Sequence, residues 1–405
     1  MVPAVALQID VGCPLIRVNG HPTSIFCVSC AALLSAPLWT RRPLLALVTA
    51  FAGTRLIIAL IGVIAVATFA DQRTLVVAGA AALDPAVVWH RWDALWYERL
   101  AVHGYGWELD TLQGQAAAGF FPLYPLTIGL ILRVLPGASF FWTATIFSNV
   151  VALLALTLLV RRLARSAEEA AGAVGLILTA AGSFYLSIPY TEGLFLLLVV
   201  LVMIATRGRQ YWLAGLLCGL AVTTRAHGLA LIVIPVVACW REEAAPSGRR
   251  LAHIGAALAL FAIPVAIYLA YLADVQGSAL AFVEQQAMWS NERTYPFKTL
   301  VALFEFPRRV SGWMHGAFWG LYVALLLHAW KRIPLGEALY CAGALVISTL
   351  DESFHGTYRY VVPLVPLMLA LTHERPLLRH ALLVINLIFG TIMLLAFVTN
   401  NRLAV

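Results

Sequence analysis

Between Val88 and Leu126 the chain gathers residue types able to do chemistry. Trp89-His90-Arg91-Trp92-Asp93 leads into Trp96-Tyr97-Glu98-Arg99 and His103-Gly104-Tyr105, and the stretch closes on Phe120-Phe121-Pro122-Leu123-Tyr124-Pro125. Tryptophan and tyrosine concentrate at the membrane–water boundary, and a carboxylate held among them is suited to take a proton from a hydroxyl there. Trp92, Leu95, Trp96, Arg99 and His103 recur at helical spacing, so Asp93 is expected to open a short amphipathic helix lying on a membrane surface. Two roles are then open to Asp93. It can cap the helix by accepting free N–H groups, the commoner use of an acid at that position, or it can act as a general base.

Two arginines stand at breaks between apolar runs. Arg225 lies in Thr223-Thr224-Arg225-Ala226-His227-Gly228, and Arg359 heads the segment that continues through Tyr360 to Pro363 and Pro366. An arginine at membrane depth is costly and its planar fork matches a phosphate, so each is a candidate ligand for a lipid phosphate; each is equally a helix-end arginine reaching for headgroups. Arg55, inside an apolar run, fits either role. Glu192 follows Tyr190-Thr191 and either caps the next helix or orients a sugar hydroxyl. Glu108 with Asp110, and Asp351 with Glu352, have the form of metal- or sugar-binding acid pairs, although paired loop acids are more often merely solvated. Cys27 and Cys30 lack the second pair or histidine cluster that zinc or redox chemistry would need.

Positioning these groups falls to a chain that is 61% hydrophobic and 12% charged. A soluble domain carries about 25% charged residues, so this chain cannot cover a water-facing surface, and an all-α polytopic membrane protein is expected. The net charge of +7 sits at the ends of apolar runs, where it orients helices and gives no signal for nucleic acid. Apolar runs over 44–70, 139–160, 172–190, 193–206, 211–224, 229–240, 251–273, 313–330, 335–350, 360–372 and 380–400 predict about 11 transmembrane helices. The run 120–135 is broken by Pro122 and Pro125 and is expected to be re-entrant or interfacial. Basic clusters at the run ends place the N-terminus in the cytoplasm of a plasma-membrane protein, with acid-rich outer loops at 71–137 and 274–311. Residues 1–43 read as an N-terminal extension, poorly ordered or interfacial, and 44–405 as one multi-pass domain. The inner loops carry no phosphate-cradling glycine motif, so any chemistry is expected on the outer face without a nucleotide.

Arg91-Trp92-Asp93-x-x-Trp96-Tyr97, His103-Gly104-Tyr105 and Phe120-Phe121-Pro122-Leu123-Tyr124-Pro125 together resemble the first luminal loop of PIG-V-type mannosyltransferases, the GPI mannosyltransferase 2 family and its bacterial relatives within the GT-C superfamily. Ser148-Asn149, the run from Ser183 through Tyr190-Thr191-Glu192, Thr224-Arg225-x-x-Gly228, the stretch from Ala281 through Gln285 to Trp289, and Tyr358-Arg359-Tyr360 follow in the same order, over about residues 44–372. The resemblance implies a GT-C membrane fold, a polyprenyl-phosphate-linked mannose donor, an extracytoplasmic active site and inversion at the anomeric carbon. It makes Asp93 the catalytic base; Arg225 and Arg359 are taken as the donor-phosphate ligands because each is an outer-end arginine at a helix break. Arg91, Trp92, Trp96, Tyr97, Tyr124, Glu192, His227, Gln285 and Tyr360 become the substrate-binding candidates. Ala226-His227 replaces the family's more usual neutral pair, which leaves the acceptor open among glycan, glycolipid and protein. No cofactor beyond the lipid-linked donor is called for, and divalent-metal dependence stays open. The alternatives are a GT-C enzyme using another sugar and a non-catalytic lipid or glycolipid transporter. A transporter would place ionisable groups near the bilayer midplane, often with internal repeats.

Overall fold

A computed structural model describes residues 36–69, 84–105, 117–242, 246–285, 310–350 and 356–399. Most of the N-terminal extension, Cys27 with Cys30, both loop acid pairs and most of the second outer loop lie outside the described residues. Within them every regular element is helical: α1 Ala36–Arg41, α2 Pro43–Phe69, α3 Pro85–Trp89, α4 Asp93–His103, α5 Leu123–Val134, α6 Phe140–Leu158, α7 Ala167–Thr179, α8 Glu192–Arg207, α9 Tyr211–Val222, α10 Val233–Glu242, α11 Ser247–Gln276, α12 Ala281–Glu284, α13 Val310–Ala329, α14 Leu335–Ile347, α15 Val365–Leu371 and α16 Pro376–Val398.

Among the described residues, four helices are long and apolar enough to cross a membrane: α2, the Phe140–Leu163 continuation of α6, α11 and α16. Their best windows are only 17–39% buried within the protein, which leaves apolar faces for lipid. The centre is built from shorter pieces. Nearly every face of α8 and the whole of α15 are buried, as expected for helices that are apolar all round. The lipid-facing α11 meets α9 at close range because Gly215 and Gly219 have no side chain; a Cβ there would fall 2.1 Å from Ala257 O and 2.4 Å from Phe261 O. Small residues one turn apart let two backbones approach closely in just this way.

Two expected spans are not continuous helices. In the run 172–190, α7 stops at Thr179 and gives way to a 3-10 turn over Ser183–Ser187. The run 360–372 begins with irregular backbone after the Thr357–Arg359 turn, and only α15 is regular. Pro363 lacks an N–H and disfavours helix in Val362 before it, so the helix cannot propagate from Arg359, whereas Pro366 falls in the first turn of α15, where a missing N–H is tolerated. A third break, the 3-10 stretch Ala226–Ile232, separates α9 from α10. Irregular backbone at membrane depth is tolerated where it is enclosed by protein or lines a cavity, and all three breaks face one region.

The basic ends of the helices gather at the opposite end of the bundle. Arg207, at the close of α8, donates to Leu163 O at 3.1 Å and pairs with Glu337 of α14 at 3.6 Å. Ser166 caps α7 by accepting from Glu169 N at 3.1 Å, and Glu169 in turn meets His373 at 3.3 Å. Glu374 then joins Arg332 and His328. Helix α8 therefore runs from Glu192 to this charged end, a length of roughly 22 Å at the α-helical rise.

Candidate functional site

Asp93 is the first residue of α4, but it does not cap the helix. The N-cap is Trp92, held at φ 55°, and no side chain caps the helix there. A bulky residue in that region of backbone space is strained by about 1–3 kcal/mol, and the sharp turn it makes brings Asp93 to Arg359. Its Oδ2 accepts from Arg359 Nη1 at 2.9 Å, from a residue 266 positions away. The expected row Trp92, Leu95, Trp96, Arg99 and His103 is not the buried face either. Ala94, Trp96, Tyr97, Leu100 and Ala101 pack inward while Leu95 and Val102 are exposed, because α4 lies on other helices and Tyr97 supplies the inward anchor.

Glu192 is likewise the first residue of its helix and not its cap; the N-cap is Thr191. Its Oε1 accepts from Arg225 Nη1 at 2.6 Å and from Arg359 Nε at 2.7 Å. Two acids at helix N-termini, each favoured by the positive end of the helix dipole, thus converge on two arginines contributed by two breaks in the helices. The Glu192 side chain is 1% exposed and that of Asp93 25% exposed, so the cluster runs from a dry interior to a wetter edge. Burial alone would lower the pKa of both arginines. Glu192 outweighs it for Arg225, as do Glu192 and Asp93 for Arg359, and both guanidinium groups stay charged.

Aromatic rings form the shelf beneath these charges. Arg359 lies 4.5 Å from the Tyr185 ring centroid and 5.0 Å from that of Tyr190, and Arg225 lies 5.0 Å from Tyr360. Such cation–π contacts hold a guanidinium in place without neutralising it. Tyr185 and Tyr358 share a hydroxyl–hydroxyl hydrogen bond of 2.9 Å, and Tyr190 donates to Arg91 O at 3.1 Å. Gly182 lets the Arg359 segment approach, since a Cβ would stand 2.7 Å from Arg359 Cα and from Tyr358 O. Tyr185, Tyr190 and Tyr358 were not among the expected site residues. The signal available for them was a run of hydroxyl-bearing rings inside an otherwise apolar stretch.

Of the remaining candidates, Tyr97 stands edge-on to Tyr124 and Tyr190 at 5.3 and 5.9 Å. Tyr124 bonds Ser148 Oγ at 2.9 Å, and that hydroxyl in turn donates to Tyr190 O. His227 stacks 4.0 Å from Tyr360, and burial together with Arg225 and Arg359 pushes its pKa well below the usual histidine range, so it is neutral. Its Nε2, Glu192 Oε2, Thr191 Oγ1 and Thr357 Oγ1 are buried with no partner among the described residues, a polar lining larger than its internal bonds require. Trp92 donates to Phe397 O at 3.4 Å, and Trp96 stacks on Phe120 at 5.6 Å. Gln285 accepts from Ala118 N and donates to Gln276, which makes it a tie between the outer segments. Arg55 holds Ser183 O and Ser187 Oγ at 2.6 and 2.9 Å, fixing the turn that carries Tyr185. Among the described residues no group of three or more His, Cys, Asp or Glu could hold a metal ion.

No family model matches the chain, and neither a curated protein nor a solved structure is detectably similar to it.

Proposed function

We propose that the protein is an integral-membrane glycosyltransferase that moves mannose from a polyprenyl-phosphate-linked donor to an extracytoplasmic acceptor with inversion. The observation that carries this reading is the convergence of Asp93, Glu192, Arg225 and Arg359, from four separate elements, into one buried aromatic-lined cluster. Asp93, at its wetter edge, takes the proton of an acceptor hydroxyl while that oxygen forms its bond to the anomeric carbon. The bond from that carbon to the donor phosphate breaks, and its electron pair stays on the phosphate oxygen. Arg359 and Arg225 meet the charge that develops there, so no partnered acid is needed. Tyr97, Tyr124, Tyr360, Trp92, Trp96, Arg91 and His227 form the polar and aromatic wall for the sugar and lipid headgroup.

The same reading takes the chain as eleven passes, with the broken segments crossing as protein-packed half-spans. The cluster faces outward and the basic end faces the cytoplasm of the plasma membrane. Support comes from the gathering of basic helix ends at one end of α8 and of the charge-balanced cluster at the other. The test is reconstitution with labelled polyprenyl-phosphate mannose and a panel of glycan, glycolipid and protein acceptors. Transfer to at least one acceptor is expected, and no transfer with any of them, from protein that binds no polyprenyl phosphate, would defeat the reading.

A further inference from the structure

Arg359 meets its two carboxylates in unlike ways. Its Nε is 2.7 Å from Glu192, whose side chain is 1% exposed, and its Nη1 is 2.9 Å from Asp93, whose side chain is 25% exposed. Glu192 has a second tie to Arg225 at 2.6 Å. The four side chains together are neutral, so an arriving anion finds neither arginine free. Freeing the arginines from Glu192 would strand a bare carboxylate in the interior, which is severely unfavourable. Releasing Asp93 costs far less, because that carboxylate can regain water at the edge of the cluster.

We propose that Glu192 is a positioning residue that sets Arg225 and Arg359 for a single phosphate group, and that this phosphate displaces Asp93 from Arg359 as it binds. The inference rests on the glycosyl-transfer reading and adds an order to it. Until the lipid phosphate arrives, Asp93 is occupied by Arg359 and is a poor base. After the exchange its carboxylate is free for the acceptor hydroxyl, so the donor binds first. The terminal nitrogens of Arg359 then form the phosphate fork, while Nε stays on Glu192.

The test is equilibrium binding of a short-chain polyprenyl phosphate to the full-length protein in nanodiscs of zwitterionic lipid, with the matching polyprenyl alcohol as control. Asp93→Asn should bind the phosphate more tightly than wild type, by about tenfold, because a competing charged partner has been removed. A role for Asp93 confined to shaping the start of α4 would leave binding unchanged or weaken it. Glu192→Gln should weaken it by about tenfold or more, since the two guanidinium groups lose their common anchor. Where that variant does not fold, Glu192→Asp keeps the charge but draws the arginines out of place, and it should weaken binding in the same direction. Equal or weaker binding by Asp93→Asn, with wild type binding normally, overturns the exchange and leaves the transferase reading standing. Unchanged binding by both Glu192 variants overturns the positioning role. If folded wild-type protein prefers the phosphate no more than the alcohol, the transferase reading falls and the exchange falls with it.

Discussion

Both ends of the bundle collect opposite charges, yet they do so under different physical conditions. At the basic end, Arg332, His328 and His373 are 42%, 52% and 52% exposed where they pair with Glu374 and Glu169. Glu374 and Glu169 are themselves 8% and 2% exposed, so it is the basic partners that keep much of their water and can be hydrated when apart. At the other end, Glu192 is 1%, Arg225 11% and Arg359 14% exposed. Here each ion depends on the others, because burial has removed the alternative of water. An apolar cluster would hold the same helices together at less cost. A cluster in which acid and base are both dry, and which is partly unpartnered, is therefore the place to look for chemistry, while the pairs with hydrated bases read as orientation.

Removing one partner from each end should separate them most sharply. Glu192→Ala leaves the buried Arg225 without a carboxylate and Arg359 with Asp93 alone, and is expected to lose about 3–5 kcal/mol of stability; denaturant unfolding would measure it. A loss no larger than that of Arg332→Ala would erase the distinction. Next in size is the phosphate affinity of the arginines. Arg359→Ala and Arg225→Ala should each weaken polyprenyl-phosphate binding by about 1.5–3 kcal/mol. Arg359→Lys should recover only part, because lysine offers a point charge in place of a fork. Unchanged affinity in both alanine variants would remove the phosphate assignment. Gly182→Ala forces a Cβ against the backbone at Arg359 and is expected to cost about 1–3 kcal/mol, with transfer falling further than unfolding free energy alone explains.

The smallest effect belongs to the wet end. Arg332→Ala should change stability by about 0–1 kcal/mol. Burial by itself would raise the Glu374 carboxyl, but hydrogen bonds from Arg332 and His328 outweigh it and hold it below the usual carboxylate range. A carboxyl lowered in the folded state stabilises above its unfolded pKa and loses that contribution as pH falls through the folded value. The difference between wild type and Arg332→Ala should therefore shrink in acid, and a difference that grows on acidification would contradict the pairing.

The sequence made part of this legible. Uninterrupted apolar runs marked α2, α6, α11 and α16, since a lipid-facing helix needs about 20 such residues. The start of α4 at Asp93 was also legible from spacing. The interruptions at 180–190 and 360–364 fall inside runs that hydropathy reads as continuous spans, because it averages over a break that only packing reveals. The exclusion of Asp93 from the cap could not be read either. Its partner Arg359 stands 266 positions away, and a local rule for helix starts carries no information about so distant a cation. Arg225, Arg359 and Glu192 were recognisable one by one as groups too polar for their surroundings. Their sharing of a single carboxylate oxygen is a property of the fold.

If Asp93 takes the proton at this site, Asp93→Asn is the substitution that shows it. The substitution keeps the side chain's size and removes no helix cap. The variant should unfold at close to the wild-type midpoint while transferring labelled mannose about 10²–10⁴-fold more slowly, the usual worth of a positioned base. Transfer at the wild-type rate by the folded variant would contradict the account.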